Sequence, residues 1–540
     1  MGKRVKSRRD FIERHETRII GVIILISLLM RLYGLGSIHA ITGDEAFIGY
    51  EAYSILRTGK DTTGIRTPVF FRGSGENRPG LSVYATIPGI ALFGPSKFGL
   101  RITVALLGSA AIPILYLLVK RIFDRRTAVA SSILLAFSPW HLVISTQAYE
   151  VGYYTFLTLL GVYFCYKSLD NDRHLILAGA VFGISVYFHL KMVITSVLLF
   201  MGFILLHKTR GKEIFKKETA TALLVFALLT APMAYSILTS KDMVLARYNE
   251  VRVQGGDMNA IAKIGSMGRN YLTYMTDTLF IDKKDKWGRT PISPYGRLYH
   301  MQLPFIIFGL YIMLGERRED KEIKYLLFWL LISPIPASLL EYATHIQRYV
   351  ESVFVLQIIT AYGITSFMDR IKKHKHANTM AYAVLGLFAL NMLPFPTVYY
   401  KMQPQEYERY GLERAATYAY ENAGTYDEVV IAPINNVIFS FVSGFDPGKY
   451  QENGLGKFKT CDAHNINSFG FTCDYMMDKS KKVLVTFVNQ PIETAPLTFK
   501  GTIKAPGTED NVTWLYEYTP TGDKNNTREL HQFTALPNPY

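Results

Sequence analysis

The sequence contains little charge and almost no cysteine. Asp, Glu, Lys and Arg make up 19% of its 540 residues, whereas an ordinary soluble protein has about 25%. Three cysteines are too few for a disulfide scaffold. Because 49% of the residues are hydrophobic, an intrinsically disordered chain is excluded as well.

Several signatures of common sites are also absent. The sequence has no glycine-rich phosphate loop followed by Lys-Ser or Lys-Thr, no histidine pair with zinc spacing and no Gly-x-Ser-x-Gly motif. No internal repeat is visible, which argues against an inverted-repeat transporter. The first apolar segment lacks a small-residue cleavage site, so we interpret it as an uncleaved helix rather than a signal peptide.

Long apolar segments are what the sequence has instead. From residue 19 to about residue 395, apolar blocks of 15 to 22 residues alternate with polar gaps. Blocks of about 20 residues are long enough to cross a hydrocarbon layer of about 30 Å, so a soluble enzyme is excluded. The net charge is 59 − 44 = +15. Its basic residues cluster between the apolar blocks, which indicates a lipid bilayer rather than nucleic acid as the partner.

The basic clusters predict the topology. The N-terminus (1–18) and the clusters at 120–126, 208–217 and 370–375 should all be cytoplasmic, so an even number of spans separates each from the next. This rule predicts about 11 transmembrane helices in a plasma membrane protein with a cytoplasmic N-terminus and an extracytoplasmic C-terminus. The predicted spans are 19–35, 98–119, 127–146, 149–168, 174–189, 192–207, 219–238, 301–315, 324–340, 349–367 and 378–394.

The topology divides the chain into an α-helical polytopic membrane module at 19–396 and an extracytoplasmic α/β domain at 397–540. The membrane module has long external loops at 36–97 and 239–300. Leu81–Phe93 is too short for a span and contains Pro88, so we predict an interfacial helix on the outer leaflet.

The C-terminal domain shows a helical pattern at 407–422 and strand patterns at 428–434, 482–488 and 511–518. Cys461 and Cys473 can pair if this domain is exported. The domain shows no metal or nucleophile signature, and we interpret it as a lid or a module that docks an acceptor.

Ionisable residues beside membrane spans are candidates for function because their burial is costly. The predicted topology brings such residues from distant parts of the chain to one depth, the outer interface. Acids and bases at that depth suggest chemistry on a molecule that carries phosphate and a lipid tail. The candidates are Asp44, Glu45, Glu76, Arg78, Arg101, Glu150, His189, Lys191, Glu341, His345 and Arg348. Asn77 and Tyr149 are predicted as further residues of the substrate cavity.

Each main candidate also has a purely structural interpretation. Thr42 and Glu45 have the spacing of a helix capping box, which leaves Asp44 to face a substrate. Arg78 and Arg348 can anchor helices at lipid headgroups or bind phosphate oxygens. Glu150 can complement the dipole of the helix that follows it. We interpret Arg31 and Arg101 as mainly structural.

Five segments occur in an order that resembles the membrane glycosyltransferases of the C superfamily (GT-C type), and within them most closely the protein O-mannosyltransferases and lipid A aminoarabinose transferases. They are Arg31-Leu-Tyr-Gly-Leu, Gly43-Asp-Glu-Ala-Phe47, Asn77-Arg-Pro-Gly-Leu81, Phe98-Gly-Leu-Arg101, and Ser138-Pro139 with Gln147-Ala-Tyr-Glu150. The C-terminal segments Leu412-Glu-Arg-Ala-Ala416 and Phe445-Asp-Pro447 with Tyr450-Gln451 are similar to bacterial and archaeal members. The Trp-Trp-Asp-Tyr-Gly motif of oligosaccharyltransferases is absent.

The resemblance implies an inverting transfer of a sugar from a polyprenyl-phosphate carrier to an external protein, lipid or glycan. It implies that Asp44 is the general base, with Glu45 beside it, and that Glu150 is a second acid of the cavity. Arg78 and Arg348 match positions that face the carrier phosphate, and Lys191 is a weaker phosphate candidate.

In the aminoarabinose transferases, the two residues before the proline of this motif are Glu and Lys. Here they are Asn77 and Arg78, and Glu76 lies one position earlier. We therefore expect no bound metal and no cofactor, since the lipid-linked sugar is itself the substrate. A lipid-linked sugar flippase and a non-catalytic receptor remain alternatives. A flippase needs polar groups in the middle of its spans, whereas the charges here cluster at the outer face.

Overall fold

The structure is a computed structural model of a mostly helical protein. It describes residues 2–72, 77–207, 216–239, 260–280, 296–340, 347–401, 407–432, 434–460, 472–478, 481–488, 497–504, 511–518 and 528–534.

The helices of the first 401 residues are α1 (Gly2–Leu32), α2 (Gly43–Thr58), α3 (Leu81–Phe93), α4 (Lys97–Ile122), α5 (Arg125–Ala136), α6 (Pro139–Ile144), α7 (Glu150–Lys167), α8 (Arg173–Ser185), α9 (Lys191–His207), α10 (Lys217–Thr239), α11 (Ala260–Met275), α12 (Asp277–Phe280), α13 (Gln302–Gly315), α14 (Lys321–Ile332), α15 (Ile335–Ser338), α16 (Ser352–Ile371), α17 (Ala377–Met392) and α18 (Pro394–Lys401). A short antiparallel hairpin, β1 (Phe70–Arg72) and β2 (Asn77–Pro79), precedes α3.

The C-terminal part of the chain contains helices α19 (Tyr407–Glu421), α20 (Asn436–Val442) and α21 (Pro447–Asn453). Its strands are β3 (Glu428–Ala432), β4 (Phe458–Thr460), β5 (Thr472–Asp478), β6 (Val483–Val488), β7 (Thr498–Lys504), β8 (Asn511–Tyr518) and β9 (Arg528–Thr534).

The chain divides into two compact units. The first unit comprises 1–33, 69–82 and 104–401. The second unit comprises 34–68, 83–103 and 402–540, so it combines the C-terminal part with helix α2 and with the residues around the start of α4. The domain boundaries drawn from the sequence stay a prediction.

Among the described residues, four helices are long and apolar enough to cross a membrane. They are Lys97–Ile122, Lys217–Thr239, Ser352–Ile371 and Ala377–Lys401, and shorter apolar helices are Leu81–Phe93, Arg173–Ser185, Lys191–His207 and Gln302–Gly315. The number of 11 spans stays a prediction, as does the interfacial position of α3.

Two predicted spans are each broken into two helices. The predicted helix at 127–146 ends at Ala136, and α6 begins at Pro139 with the Ser138 side chain accepting a hydrogen bond from the His141 amide. Proline fixes its backbone angle and lacks an amide hydrogen, so it suits the first turn of a new helix. The predicted helix at 324–340 is broken in the same way at Pro334.

Close helix packing in the first unit depends on glycine. A Cβ atom on Gly309 of α13 would lie 2.5 Å from the Ile359 carbonyl oxygen, and one on Gly363 of α16 would lie 2.0 Å from the Phe305 carbonyl oxygen. The two backbones therefore meet directly. Small residues at helix contacts are typical of membrane proteins, where van der Waals packing drives helix association.

Ion pairs of the first unit join polar segments that the topology predicts on the cytoplasmic side. The pairs are Glu16 with Lys120 and Arg125, Arg121 with Asp170, Arg126 with Asp369, Lys216 with Asp172, and Glu316 with Arg370. These pairs require the segments to lie at one end of the first unit. The predicted topology also places these segments at one end, on the same side of the membrane. Their assignment to the cytoplasmic side stays a prediction.

The C-terminal part contains a five-stranded mixed sheet of the order β4-β3-β6-β8-β7. Strands β3 and β6 are parallel, and β6 and β8 are antiparallel. Strands β5 and β9 form a separate antiparallel pair. The predicted helix at 407–422 and the three predicted strands are confirmed as α19, β3, β6 and β8. Cys461 lies outside the described residues, so its pairing with Cys473 stays a prediction.

Candidate active site

The predicted base Asp44 lies in the first turn of α2. The Thr42 side chain accepts a hydrogen bond from the Glu45 amide at 3.3 Å, and the Glu45 carboxylate accepts one from the Thr42 amide at 3.4 Å. The predicted capping box is therefore confirmed. Asp44 is half-buried at a helix N-terminus, where unsatisfied amide groups favour negative charge.

Glu45 is bound to a buried arginine. Its two carboxylate oxygens accept hydrogen bonds from Nε and Nη2 of Arg101 at 2.7 and 2.9 Å, and both side chains are fully buried. Such a bidentate pair is geometrically specific. The remaining Arg101 hydrogen bonds go to the backbone carbonyls of Leu35, His39 and Ala40.

Arg101 thus fixes both the loop before α2 and the first turn of α2. The structural interpretation of Arg101 is confirmed. A catalytic role for Glu45 stays a prediction, and its contacts with Arg101 favour a structural role.

Arg31 is likewise structural. Its guanidinium is fully buried and donates to Ser145 Oγ at 2.9 Å and to Ser27 Oγ at 2.6 Å. It also lies 2.8 Å from His141 Nδ1. Arg31 therefore joins the end of α1 to α6 inside the first unit, as the sequence predicts.

Arg78, which the resemblance places at the carrier phosphate, lies on the edge strand β2 and is half-buried. The predicted cavity residue Asn77 lies on the same strand and is also half-buried. Arg78 pairs in register with Phe71 of β1. The following Gly80 has no room for a side chain, because a Cβ atom there would lie 2.3 Å from the buried Phe71 ring. Glu76 lies outside the described residues.

Lys191 holds the turn that carries Arg348. Its ammonium group lies 2.8 Å from a Glu351 carboxylate oxygen and donates to the Arg348 carbonyl at 2.8 Å. It also lies 4.5 Å from the centre of the Tyr154 ring. Glu351 is only 1% exposed, so its charge needs this partner. The predicted phosphate contact of Lys191 stays a prediction, and these bonds favour a positioning role.

The Arg348 side chain is hydrogen-bonded to Tyr274 of α11. Burial raises the pKa of Tyr274 to about 12, and the guanidinium groups of Arg348 and Arg297 counteract that rise. Two positive side chains therefore act on the same phenol. Glu341 and His345 lie outside the described residues.

Arg297 is a candidate site residue that the sequence did not predict. It is 6% exposed and donates to the Tyr349 hydroxyl at 2.6 Å. Its guanidinium carbon lies 5.4 and 5.0 Å from the ring centres of Trp140 and Tyr349, which are distances of cation–π contacts. Arg297 belongs to the segment 239–300, whose sequence has no recognisable motif. The signal that the sequence offered was Trp140 beside the Ser138-Pro139 segment.

The other predicted cavity residues lie at the start of α7 and before α9. Tyr149 is the buried N-cap residue of α7, and Glu150 is half-buried in its first turn. His189 is exposed, and its Nδ1 accepts a hydrogen bond from the Lys191 amide at 3.1 Å. The structure brings His189, Lys191 and Arg348 together with Tyr154, whose ring lies 5.8 Å from that of His189.

Asp44, Glu45 and Arg101 belong to the second unit together with the loop before α2, whereas Arg78, Lys191, Arg297 and Arg348 belong to the first unit. Within the described part of the chain, no three His, Cys, Asp or Glu side chains are grouped so that they could hold a metal ion. The expectation of a site without a metal stays a prediction.

Comparisons with known proteins bear on this fold and these residues. Residues 77–235 match the model of a family described as dolichyl-phosphate-mannose-protein mannosyltransferase. An uncharacterised protein of Aquifex aeolicus (strain VF5) is 26% identical over 153 residues, which is 28% of this chain and 30% of that protein. The match thus spans less than a third of that relative.

A crystal structure of ArnT from Cupriavidus metallidurans in the apo state has a TM-score of 0.59 at 12% identity and covers 94% of this chain and 98% of its own. The chain shares the fold of ArnT. The resemblance based on its sequence segments is confirmed.

Two further structures share this fold. ArnT from the same organism bound to undecaprenyl phosphate has a TM-score of 0.59 at 11% identity and covers 93% of this chain and 98% of its own. The archaeal oligosaccharyltransferase AglB from Archaeoglobus fulgidus, in complex with an inhibitory peptide and a dolichol-phosphate, has a TM-score of 0.51 at 13% identity. It covers 80% of this chain and 64% of its own.

Proposed function

We propose that this chain is a glycosyltransferase that moves a sugar from a polyprenyl-phosphate carrier to an acceptor on the external membrane face, with inversion at the anomeric carbon. The family match at residues 77–235 supports transfer from a polyprenyl-linked sugar. The fold it shares with ArnT, which was crystallised with undecaprenyl phosphate, supports the same carrier chemistry. The acceptor is a hydroxyl group of a protein, a lipid or a cell-surface glycan.

In this proposal Asp44 is the general base. It takes the proton from the acceptor hydroxyl while the hydroxyl oxygen forms a bond to the anomeric carbon of the sugar. The bond between that carbon and the phosphate oxygen breaks, and the polyprenyl phosphate leaves with the electron pair. A positioned carboxylate in such a role typically contributes a factor of about 10² to 10⁴ in rate.

Arg78 and Arg348 are proposed to stabilise the charge that grows on the leaving phosphate. A guanidinium presents paired donors that match phosphate oxygens, and each such charge-assisted contact is worth about 1.5–3 kcal/mol. Lys191 and Glu351 act indirectly, because they fix the turn that carries Arg348.

The observation that carries the proposal is the division of roles between two adjacent carboxylates. Glu45 is fully buried and is bound on both oxygens by Arg101. Asp44 keeps exposed surface at the helix N-terminus. One acid therefore secures the turn, and the other can reach a substrate.

The test uses purified protein in detergent with radiolabelled polyprenyl-phosphate mannose, glucose, galactose and aminoarabinose, and with membrane extract as the acceptor. We expect wild-type protein to consume one of these donors. We expect Asp44→Asn to lose at least about 100-fold in rate, and EDTA to have no effect.

Asp124→Asn is the matched control, because Asp124 caps α5 through its side-chain oxygen and asparagine is an equally good cap. We expect this variant to transfer sugar at the wild-type rate. Equal turnover by wild type and Asp44→Asn would contradict the role of Asp44 and direct the search for the base to Glu150. If no donor is consumed, headgroup translocation into liposomes would test the flippase alternative.

A further inference from the structure

The C-terminal part of the second unit contacts α2 along its whole length. In the middle of α2, Gly49 has no room for a side chain, since a Cβ atom would lie 2.4 Å from the Phe441 ring. The neighbouring Tyr50 donates to the Phe445 carbonyl at 3.3 Å, and its ring meets that of Tyr450 edge-on at 5.6 Å. Helix α2 is therefore packed against α20 and α21.

The contact at the far end of α2 involves Gln451 of α21. Its amide nitrogen lies 3.1 Å from Ser54 Oγ, 3.0 Å from Thr58 Oγ1 and 2.8 Å from the Asp61 carbonyl. The segment Phe445-Asp-Pro447 with Tyr450-Gln451 therefore contacts α2. This is the C-terminal segment that resembles members of the superfamily.

The contact at the near end of α2 involves Glu413 of α19. One Glu413 carboxylate oxygen accepts a hydrogen bond from the backbone amide of Ile41. The other lies 2.8 Å from the Lys97 ammonium group. Ile41 immediately precedes the cap residue Thr42 and lies three residues before Asp44. The bond from Glu413 therefore reaches the segment from which the first turn of α2 begins.

We propose that Glu413 is a positioning residue for Asp44, and that the C-terminal part serves to align the base. This inference rests on the proposed function. Glu413 and Arg101 hold the loop before α2 at different points, because Glu413 binds the amide of Ile41 and Arg101 binds the carbonyls of Leu35, His39 and Ala40.

A displacement of about 1 Å in a catalytic group can cost about 100-fold in rate. Loss of the Ile41 hydrogen bond should therefore lower the turnover rate without removing any contact to the donor.

The experiment compares four variants of the full-length protein. Glu413→Ala removes both bonds, and Glu413→Gln keeps an oxygen acceptor for the Ile41 amide. Lys97→Met removes the ion pair but leaves Glu413 as the acceptor for the Ile41 amide. Glu428→Ala is the matched control, because Glu428 pairs with Lys481 at 2.6 Å and its side chain is 13% exposed, the same as that of Glu413. Glu428 lies on β3, outside the segment that contacts α2.

We expect Glu413→Ala to lower kcat by about 10- to 100-fold while the donor KM changes less than about twofold. Glu413→Gln should recover most of the rate, and Lys97→Met and Glu428→Ala should stay near wild type. A kcat for Glu413→Ala no lower than that of Glu428→Ala would overturn the proposal. A kcat for Lys97→Met as low as that of Glu413→Ala would also overturn the proposal, because loss of the ion pair would then account for the lower kcat.

Hydrogen exchange provides a readout that does not depend on activity. We expect the amides of the segment from Ile41 to Ala46 to exchange faster in Glu413→Ala than in wild type or in Glu413→Gln. Unchanged exchange in that segment would show that Glu413 does not hold it. Wild-type turnover by Asp44→Asn in the same assay would instead overturn the assignment of the base, so the two failures are distinguishable.

Discussion

The buried pair of Arg101 and Glu45 is a single contact on which the first turn of α2 depends. Both side chains are fully buried, so neither charge can be solvated if the other is removed. Breaking a buried pair typically costs about 3–5 kcal/mol, because an uncompensated charge stays behind. An exposed pair in water contributes far less.

We therefore predict that Arg101→Met lowers the free energy of unfolding by about 3–5 kcal/mol. Thermal unfolding in detergent, followed by tryptophan fluorescence, measures the change. Arg318→Met is the control, because Arg318 is 74% exposed in its pair with Glu319, and its unfolding midpoint should not move. Equal midpoints for the two variants would contradict the structural role of Arg101.

Some contacts of the candidate site were predictable from the sequence, and others were not. The capping box of Thr42 and Glu45 was predictable because its two partners are three residues apart on one helical turn. The bonds of Lys191 to Glu351 and of Glu413 to Ile41 were not, because sequence spacing carries no information about partners 160 or 372 positions away. Arg297 was missed for the same reason.

At the scale of elements, α2 carries a second buried carboxylate on its later turns. Glu51 is 3% exposed and accepts hydrogen bonds from the amide and the hydroxyl of Thr62 at 3.0 and 2.5 Å. Burial raises the pKa of Glu51 from 4.5 to about 7; the two Thr62 hydrogen bonds counteract the rise, and the Asp61 carboxylate adds to it. Below about pH 7 the folded protein therefore favours the protonated form of Glu51.

The sign of the resulting pH dependence follows from this shift. Stabilisation by protonated Glu51 is complete below about pH 4.5 and is lost as the pH rises through about 7. We predict that the Glu51→Gln variant has the same free energy of unfolding as wild type at pH 5 or below. At pH 8 its free energy of unfolding should be higher than that of wild type, by at most about 3 kcal/mol.

Unfolding midpoints of the two proteins at both pH values measure this difference. Glu421→Gln, at an exposed position of α19, should show no such change between the two pH values. A Glu51→Gln variant that is no more stable than wild type at pH 8 would contradict the prediction.

Element positions followed from the sequence better than element boundaries did. Helix α19 and strands β3, β6 and β8 are close to where periodicity predicted them. The predicted helices at 127–146 and 324–340 are each interrupted, because Pro139 and Pro334 start new helical segments instead of lying inside a span. Hydropathy measures only the length of an apolar block, so it does not register such breaks.

At the scale of the whole molecule, the ion pairs of the first unit test the predicted topology in part. They connect the N-terminal segment, the turns after α4 and α7, and the end of α16, all of which the basic clusters assign to the cytoplasm. We predict that a reporter enzyme active only outside the cytoplasm will be active when fused after Tyr540.

The same reporter fused after Glu319, in the loop between α13 and α14, should be inactive, because that loop is predicted to be cytoplasmic. Reporter activity measured on whole cells compares the two fusions. Activity at Glu319 would contradict the predicted topology.

The bond between Glu413 and Ile41 also sets an order of events during synthesis. The two residues are 372 positions apart, and a ribosome adds about 5–20 residues per second. Ile41 therefore leaves the ribosome roughly 20 to 70 s before Glu413 does. Throughout that interval the Asp44 turn lacks the hydrogen bond that Glu413 provides. The proposed base therefore gains this support only after the predicted spans, which end at residue 394, have been synthesised.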